Sequence, residues 1–91
     1  TAQHSNQMAQ LFADKLRRLS AVKISQKVQV NEVLAIIPPE IIPELQKEYF
    51  FYIWDEATSE VRLMTSWDTT EEDIDRFTEI LEKLLLKFNM L

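Results

Sequence analysis

The sequence contains no glycine and no cysteine, and each absence excludes a class of site. Without glycine there is no glycine-rich loop to bind a phosphate, and turns must use residues such as Asp, Asn, Ser and Pro. Without cysteine there are no disulfide bonds and no thiolate chemistry. Because chains without disulfides are typical of reducing compartments, we expect a cytoplasmic location.

The sequence also lacks a long apolar run and an excess of basic residues. No stretch approaches the roughly 18 apolar residues of a membrane span, and no signal-peptide pattern opens the chain. The net charge is −5 and the isoelectric point is near 4.8, which argues against nucleic acid or an anionic membrane as a partner. The 91 residues, 46% of them apolar, suffice for one domain with one modest core, spanning 1–91.

Apolar periodicity predicts three helices. Apolar residues recur at three- and four-residue steps over 5–19 and again over 74–88, which is typical of amphipathic helices. A shorter helix is predicted over 40–48. Pro43 lies within it, so we expect this helix to be distorted at its start or to begin only near the proline.

The remaining apolar segments predict strands. Alternating residues over 22–30 are typical of an edge strand, and apolar runs over 33–37, 50–54 and 60–67 predict three more. The element order indicates a two-layer α+β domain, with a three- to four-stranded, mostly antiparallel sheet and helices packed on one face. The runs over 33–37 and 50–54 are apolar on both faces, and the run over 50–54 predicts a strand that is covered on both faces. Either a helix wraps round the sheet to cover the second face, or that face lies against another domain.

Two features are compatible with a metal site, but each has a structural explanation that we prefer. Five acidic residues cluster around the start of the last helix: Asp68, Glu71, Glu72, Asp73 and Asp75. Carboxylates are favoured there because the helix macrodipole is positive at its N-terminus, and Thr69 with Glu72 is predicted to form a capping box. The only histidine, His4, has no partner ligands nearby, so we interpret it as a solvated surface residue.

One arginine, Arg62, interrupts the apolar strand over 60–67. A guanidinium is always charged and needs an anion when its surroundings are apolar. That anion is either a carboxylate of this chain, such as Glu60 or Asp68, or one that arrives with a ligand, which is the interpretation we favour. Three aromatic residues could form a stacking platform nearby, but aromatic residues on paired strands are more often part of the core. They are Tyr52, Trp54 and Trp67.

The central segments resemble a known family. Residues 51–55 (FYIWD) and 60–75 (EVRLMTSWDTTEEDID) are similar to the C-terminal small domain of the bacterial L-threonine aldolases, as are residues 6–11 and 31–42. These enzymes belong to the β-eliminating lyase group of the fold-type I pyridoxal-phosphate enzymes. The resemblance covers nearly the whole chain, and its specific part is the strand–loop–helix segment over 61–75.

The chain departs from the family pattern at two places. Pro43 lies where the family usually continues a plain helix, and the loop over 55–59 lacks the customary glycine. Both departures concern structure more than chemistry.

The resemblance implies retro-aldol cleavage of L-threonine or L-allo-threonine to glycine and acetaldehyde, with pyridoxal 5′-phosphate as cofactor. It implies that Arg62, in the strand Arg-Leu-Met-Thr, binds the substrate carboxylate. It also implies that the Schiff-base lysine and the phosphate site belong to a preceding large domain. We therefore expect no catalytic, cofactor-binding or metal-binding residue in this chain, no activity of the chain alone, and a homo-oligomeric full-length enzyme.

Two functions of other classes remain open. The chain could be a free-standing α+β module that binds an amino acid or a peptide strand, or an interaction domain whose apolar sheet face dimerises. Because the sequence begins Thr1-Ala2-Gln3 without an initiator methionine, we interpret it as a piece of a longer protein.

Overall fold

The computed structural model describes residues 2–91, which form three helices and one four-stranded antiparallel sheet. The elements in chain order are α1 (Ala2–Leu16), β1 (Lys23–Ile24), β2 (Glu32–Ile36), α2 (Ile42–Glu48), β3 (Tyr52–Asp55), β4 (Glu60–Met64) and α3 (Glu71–Lys87). The strands lie side by side in the order β1-β2-β4-β3. The predicted two-layer α+β domain is confirmed, and none of the described helices is long and apolar enough to cross a membrane.

The pairing of β2 with β4 sets the two faces of the sheet. Ala35 pairs with Val61, and Leu34 pairs with Arg62. Since side chains alternate along a strand, these two pairs point to opposite faces. The face of Ala35 and Val61 is buried. We call the other one the open face; its residues are Glu32, Leu34, Ile36, Tyr52, Trp54, Glu60, Arg62 and Met64.

The core lies between the buried sheet face and the three helices. Leu16 of α1, Leu45 of α2 and Leu81 of α3 are completely buried, each on the apolar side of its helix. Burying such a side chain is worth roughly 1.5–3 kcal/mol relative to leaving it exposed. An edge-to-face contact between Phe12 and Phe77, with ring centroids 5.1 Å apart, joins α1 to α3.

The strand predicted over 50–54 is an edge strand and is not covered on both faces, so that prediction was wrong. All four residues of β3 are exposed, and β3 pairs only with β4. The apolar run did not reveal this because the number of covered faces depends on where a strand lies in the sheet. The predicted edge strand over 22–30 is reduced to Lys23–Ile24, at the opposite edge.

The short helix α2 begins at Ile42 with Pro43 in its first turn, which confirms the expectation that it begins only near the proline. Proline is tolerated there because the first N–H groups of a helix have no intrahelical acceptor.

The loop between β3 and β4 forms its turn without a glycine. The Asp55 carboxylate accepts a hydrogen bond from the Ala57 N–H at 2.9 Å, and Ser59 adopts a positive φ of 62°.

The capping box of α3 is formed by Thr70 and Asp73, one residue later than predicted. The Asp73 N–H donates to Thr70 Oγ1 at 3.1 Å, and the Thr70 N–H donates to Asp73 Oδ2 at 2.9 Å. The hydrogen bond from the Thr70 N–H, with a smaller contribution from its hydroxyl, lowers the pKa of the Asp73 carboxyl below its ordinary value of 3.8. Thr69 instead closes the preceding turn, where its hydroxyl accepts from the Ser66 N–H at 2.8 Å.

Candidate functional site

Arg62 lies near the middle of β4, on the open face of the sheet. Its neighbours across the strands are Leu34 of β2 and Tyr52 of β3. The Arg62 side chain is 33% exposed, so its stem is packed while part of the charged group remains accessible. A ligand can therefore reach Arg62 from the side of the sheet that carries no helix.

Among residues 2–91, the guanidinium of Arg62 has an ion-pair partner and a cation–π partner. Its Nε donates a hydrogen bond to Oε2 of Glu32, and its Cζ lies 5.4 Å from the centroid of the Trp54 ring. This distance is within the range of cation–π contacts. Within residues 2–91, the Nη1 and Nη2 groups make no hydrogen bond. Part of the hydrogen-bonding capacity of Arg62 is thus available to a ligand.

The anion that pairs with Arg62 in this structure is a carboxylate of this chain, Glu32, which is the alternative that we did not favour from the sequence. The two carboxylates named there as possible partners are engaged elsewhere. Glu60 is buried and accepts hydrogen bonds from Ser25 Oγ and from Gln26 Nε2, the latter at 3.4 Å. Asp68 is exposed and accepts from Ser66 Oγ. Neither forms an ion pair within the described part of the chain.

Sequence reasoning missed Glu32 because it lies 30 residues before Arg62. The two meet only because the β2–β4 register places Glu32 opposite Met64, two positions along the strand from Arg62. Residues two apart on one strand share a face, so their side chains lie diagonally adjacent on the sheet. No local signal identifies such a pair; only a correct strand register would have found it.

An open cavity of about 390 Å³ lies beside Arg62 on the open face. Sites for small ligands commonly measure roughly 300–1,000 Å³. The residues that line the cavity are Gln26, Gln29, Val30, Asn31, Glu32, Leu34, Trp54 and Arg62. The lining thus holds one cation, which the neighbouring Glu32 partly neutralises, together with an aromatic residue and several amide residues. This combination suits a small ligand that carries a carboxylate and other polar groups.

A second cavity, of about 250 Å³, lies between the helices and the end of the sheet. Its lining is mostly aromatic and aliphatic and includes Phe12 and Phe77. The only charged residue in that lining is Asp73, whose carboxylate is committed to the helix cap. This cavity offers no cation for an anionic ligand, so the cavity beside Arg62 is the better candidate.

The three aromatic residues that we interpreted as core lie on the surface, so that interpretation was wrong. Tyr52 and Trp54 are each 56% exposed, and Trp67 is 75% exposed. Trp54 makes the cation–π contact with Arg62, and Tyr52 is the residue opposite Arg62 on β3. Tyr52 instead packs edge-to-face against Phe50, with ring centroids 4.9 Å apart.

The acidic cluster at the start of α3 has structural partners. Within residues 2–91, no group of three His, Cys, Asp or Glu residues could hold a metal ion. Asp73 caps the helix, and Asp75 forms an ion pair with Lys15 of α1. His4 is half-buried, and its Nε2 donates to the Thr69 carbonyl at 2.6 Å. Interpreting His4 as solvated was therefore wrong: it links α1 to the loop before α3.

Comparison with solved structures finds a likeness to one part of a threonine aldolase. A solved structure of the threonine aldolase of Leishmania major superposes with a TM-score of 0.77 at 29% sequence identity, over 90% of this chain and 25% of that chain. No protein-family model matches the chain, and no curated protein matches it either. The chain thus spans about a quarter of the length of the aldolase to which it is similar, and its fold and sequence resemble one part of that enzyme.

Proposed function

We propose that this chain is the C-terminal domain of a pyridoxal-phosphate-dependent threonine aldolase, in which Arg62 binds the carboxylate of L-threonine or L-allo-threonine. The observation that carries the proposal is the Arg62 guanidinium, which lies beside an open cavity with Nη groups that bond to none of residues 2–91. The similarity to a threonine aldolase over 90% of the chain supplies the reaction class.

A planar guanidinium suits this role because it can hold both oxygens of a carboxylate at once. Holding the carboxylate restricts the rotation of the whole amino acid and so fixes the direction of the Cα–Cβ bond that the aldolase breaks. Hydrogen bonds to charged groups are worth roughly 1.5–3 kcal/mol, which corresponds to about one to two orders of magnitude in binding.

The residues of this chain do not fit the cofactor, so the proposal assigns its binding to a large domain. Pyridoxal phosphate needs a lysine for its Schiff base and a site for its phosphate. No lysine lines the cavity beside Arg62, and Lys15 and Lys47 are engaged in ion pairs. Glycine, which forms most phosphate cradles, is absent. In this proposal the chain binds and orients the substrate, and it performs no bond-breaking step alone.

The test is the Arg62→Lys variant of the enzyme that contains this chain. Lysine keeps the charge but loses the planar pair of donors, so we expect KM for L-threonine to rise about tenfold or more. The matched control is Arg76→Lys, since Arg76 is exposed on α3, away from the cavity. Unchanged kinetics in the Arg62→Lys variant would remove Arg62 from the substrate site.

A second function is favoured by one observation: the described residues already form an open cavity of about 390 Å³ around Arg62. A free-standing module that binds an amino acid would use the same cavity. Titrating the isolated chain with L-threonine and with glycine, while following backbone amide shifts, separates the two. Millimolar or tighter binding centred on Arg62 would support the module, whereas the aldolase proposal predicts no such binding without the large domain.

A further inference from the structure

We infer that Glu32 and Trp54 are positioning residues that hold the Arg62 guanidinium so that the substrate carboxylate binds to Nη1 and Nη2 and not to Nε. This inference rests on the proposed function. It adds which edge of the guanidinium receives the ligand and which side chains fix that edge in place.

A guanidinium can bind a carboxylate through two different edges. One edge consists of Nε and one Nη group, and the other consists of the two Nη groups. In this structure the first edge is engaged, because Nε donates to Glu32. The second edge bonds to none of residues 2–91. A ligand can therefore bind to the Nη edge without displacing Glu32.

Glu32 is held more firmly than a surface carboxylate would be. Its side chain is only 19% exposed, less than the 33% of Arg62, so most of it is packed against the sheet. A packed carboxylate has few alternative rotamers and presents a fixed acceptor to Nε. Glu32 therefore restricts how the Arg62 side chain can rotate about its terminal bonds.

Trp54 restricts the same group from a second direction. Cζ of Arg62 lies over the Trp54 ring, 5.4 Å from its centroid. Glu32 comes from β2, Arg62 from β4 and Trp54 from β3, so three adjacent strands contribute to the arrangement. An arginine held by a carboxylate at one edge and by an aromatic ring loses less conformational freedom when a ligand binds than a free arginine does.

The charge of Glu32 also favours carboxylates over simple anions. It neutralises part of the Arg62 charge, which weakens the long-range attraction for any anion. A carboxylate offsets this loss because each of its two oxygens accepts a nearly linear hydrogen bond from one Nη group, whereas both N–H groups must share the single atom of a chloride ion. If Glu32 instead competed with the substrate, it would occupy the Nη groups, and in this structure it does not.

The geometry can be tested in the isolated chain by arginine side-chain NMR. The Arg62 Nε–H signal is assigned by its absence from the Arg62→Lys spectrum. We expect it to be shifted from the signals of the three other arginines and protected from exchange with water. The Glu32→Gln variant should keep this signal because the amide oxygen still accepts from Nε, whereas Glu32→Ala should lose it. If both variants are folded, as judged by thermal unfolding, and both keep the shifted Arg62 Nε–H signal, the inference is overturned.

The consequence for the substrate is tested in the enzyme that contains this chain. We expect Glu32→Ala to lower kcat/KM for L-threonine about tenfold, mainly through KM, and Glu32→Gln to stay within about threefold of the parent. Trp54→Phe, which keeps an aromatic face, should lose less than Trp54→Leu. A Glu32→Ala variant that equals or exceeds the parent would show that Glu32 is a spectator or a competitor and would overturn the inference.

The Arg62→Lys variant, measured beside these, separates the two proposals. If it loses activity while Glu32→Ala does not, the substrate role of Arg62 stands and only the positioning role fails. If it loses nothing, the proposed function fails and this inference fails with it.

Discussion

At the residue scale, the open face carries two acidic side chains with different partners. Glu32 is paired with a cation, whereas Glu60 is buried and, among the described residues, its side chain accepts from the neutral donors Ser25 and Gln26. A buried carboxylate depends on its hydrogen bonds because it has lost most of its hydration. Glu60 therefore contributes to the fold at the β1 side of the sheet and is not part of the cavity beside Arg62.

Ser25→Ala removes one of the two donors to Glu60, and we expect it to destabilise the domain by about 1–3 kcal/mol, the usual cost of leaving a buried acceptor unsatisfied. Urea unfolding followed by circular dichroism measures the change. The matched control is Ser20→Ala, because Ser20 is exposed and its side chain makes no hydrogen bond within residues 2–91. Equal free energies of unfolding for the two variants would contradict this role of Ser25.

The candidate site was only partly predictable from the sequence. Arg62 could be found because a charged residue within an apolar strand is a local signal. Its partner Glu32 could not, since 30 residues separate them and only the strand register joins them. Trp54 was taken for core because its residue type does not indicate which face of the sheet is covered.

At the element scale, the sequence at the start of α3 contains two pairs of residues that could each form the capping box. Thr69 with Glu72 and Thr70 with Asp73 have the same three-residue spacing, and the usual capping pattern favours the pair with glutamate. The structure uses the second pair because the Thr69 hydroxyl closes the preceding turn. The cap position thus depends on the loop before the helix as well as on the helix itself.

Thr70→Ala should destabilise the domain by about 1 kcal/mol, because it leaves the Asp73 N–H without its acceptor. Thermal or urea unfolding measures this directly. Glu72→Gln serves as the control within the same turn, since Glu72 is exposed and makes no hydrogen bond or ion pair within residues 2–91. A Thr70→Ala variant as stable as the control would place the cap elsewhere.

Asp73 also predicts a pH dependence of stability. Its pKa in the folded state lies below the ordinary value of 3.8, so the carboxylate stabilises the fold above about that pH. This contribution is lost as the pH falls through the lowered pKa, because the folded state then takes up a proton. Melting temperatures measured between pH 2 and pH 6 should fall less steeply with acid in Asp73→Asn than in Glu72→Gln. If the melting temperatures of the two variants fall equally steeply with acid, Asp73 does not cause the pH dependence.

The helices were better predicted than the strands, for a physical reason. Helical periodicity reports a buried stripe within one segment, so α1 and α3 were found with errors only at their ends. A strand depends on partners elsewhere in the chain, so the apolar run of β3 could not reveal its edge position. The order of the elements was enough to predict the two-layer architecture, but it was not enough to predict which face of each strand is covered.

At the scale of the whole molecule, helices cover one face of the sheet, and the other face exposes apolar side chains. Tyr52, Trp54 and Met64 lie on this open face and are all exposed, with Phe50 packed against Tyr52 at its end. Exposed apolar clusters of this kind mark interaction surfaces. In the proposed enzyme, the open face is where the large domain would complete the cavity beside Arg62.

We expect the isolated chain to associate with itself through this face, because its own helices leave the apolar surface open to water. Sedimentation velocity over a range of concentrations measures the association. Tyr52→Ser should weaken it, whereas Leu86→Ser should not, since Leu86 is equally exposed, at 55%, but lies on α3. A strict monomer at high concentration, or equal effects of the two substitutions, would count against this role of the open face.

The central claim, that Arg62 binds the ligand carboxylate, is tested most directly by a thermodynamic cycle in which the arginine and the carboxylate are each removed. Competitive inhibition by glycine and by glycinamide, which lacks the negative charge, is measured in the enzyme that contains this chain and in its Arg62→Ala variant. If Arg62 holds the carboxylate, glycine should bind about tenfold or more tightly than glycinamide in the parent, and the preference should nearly vanish in the variant. A preference of the same size in both proteins would contradict the account.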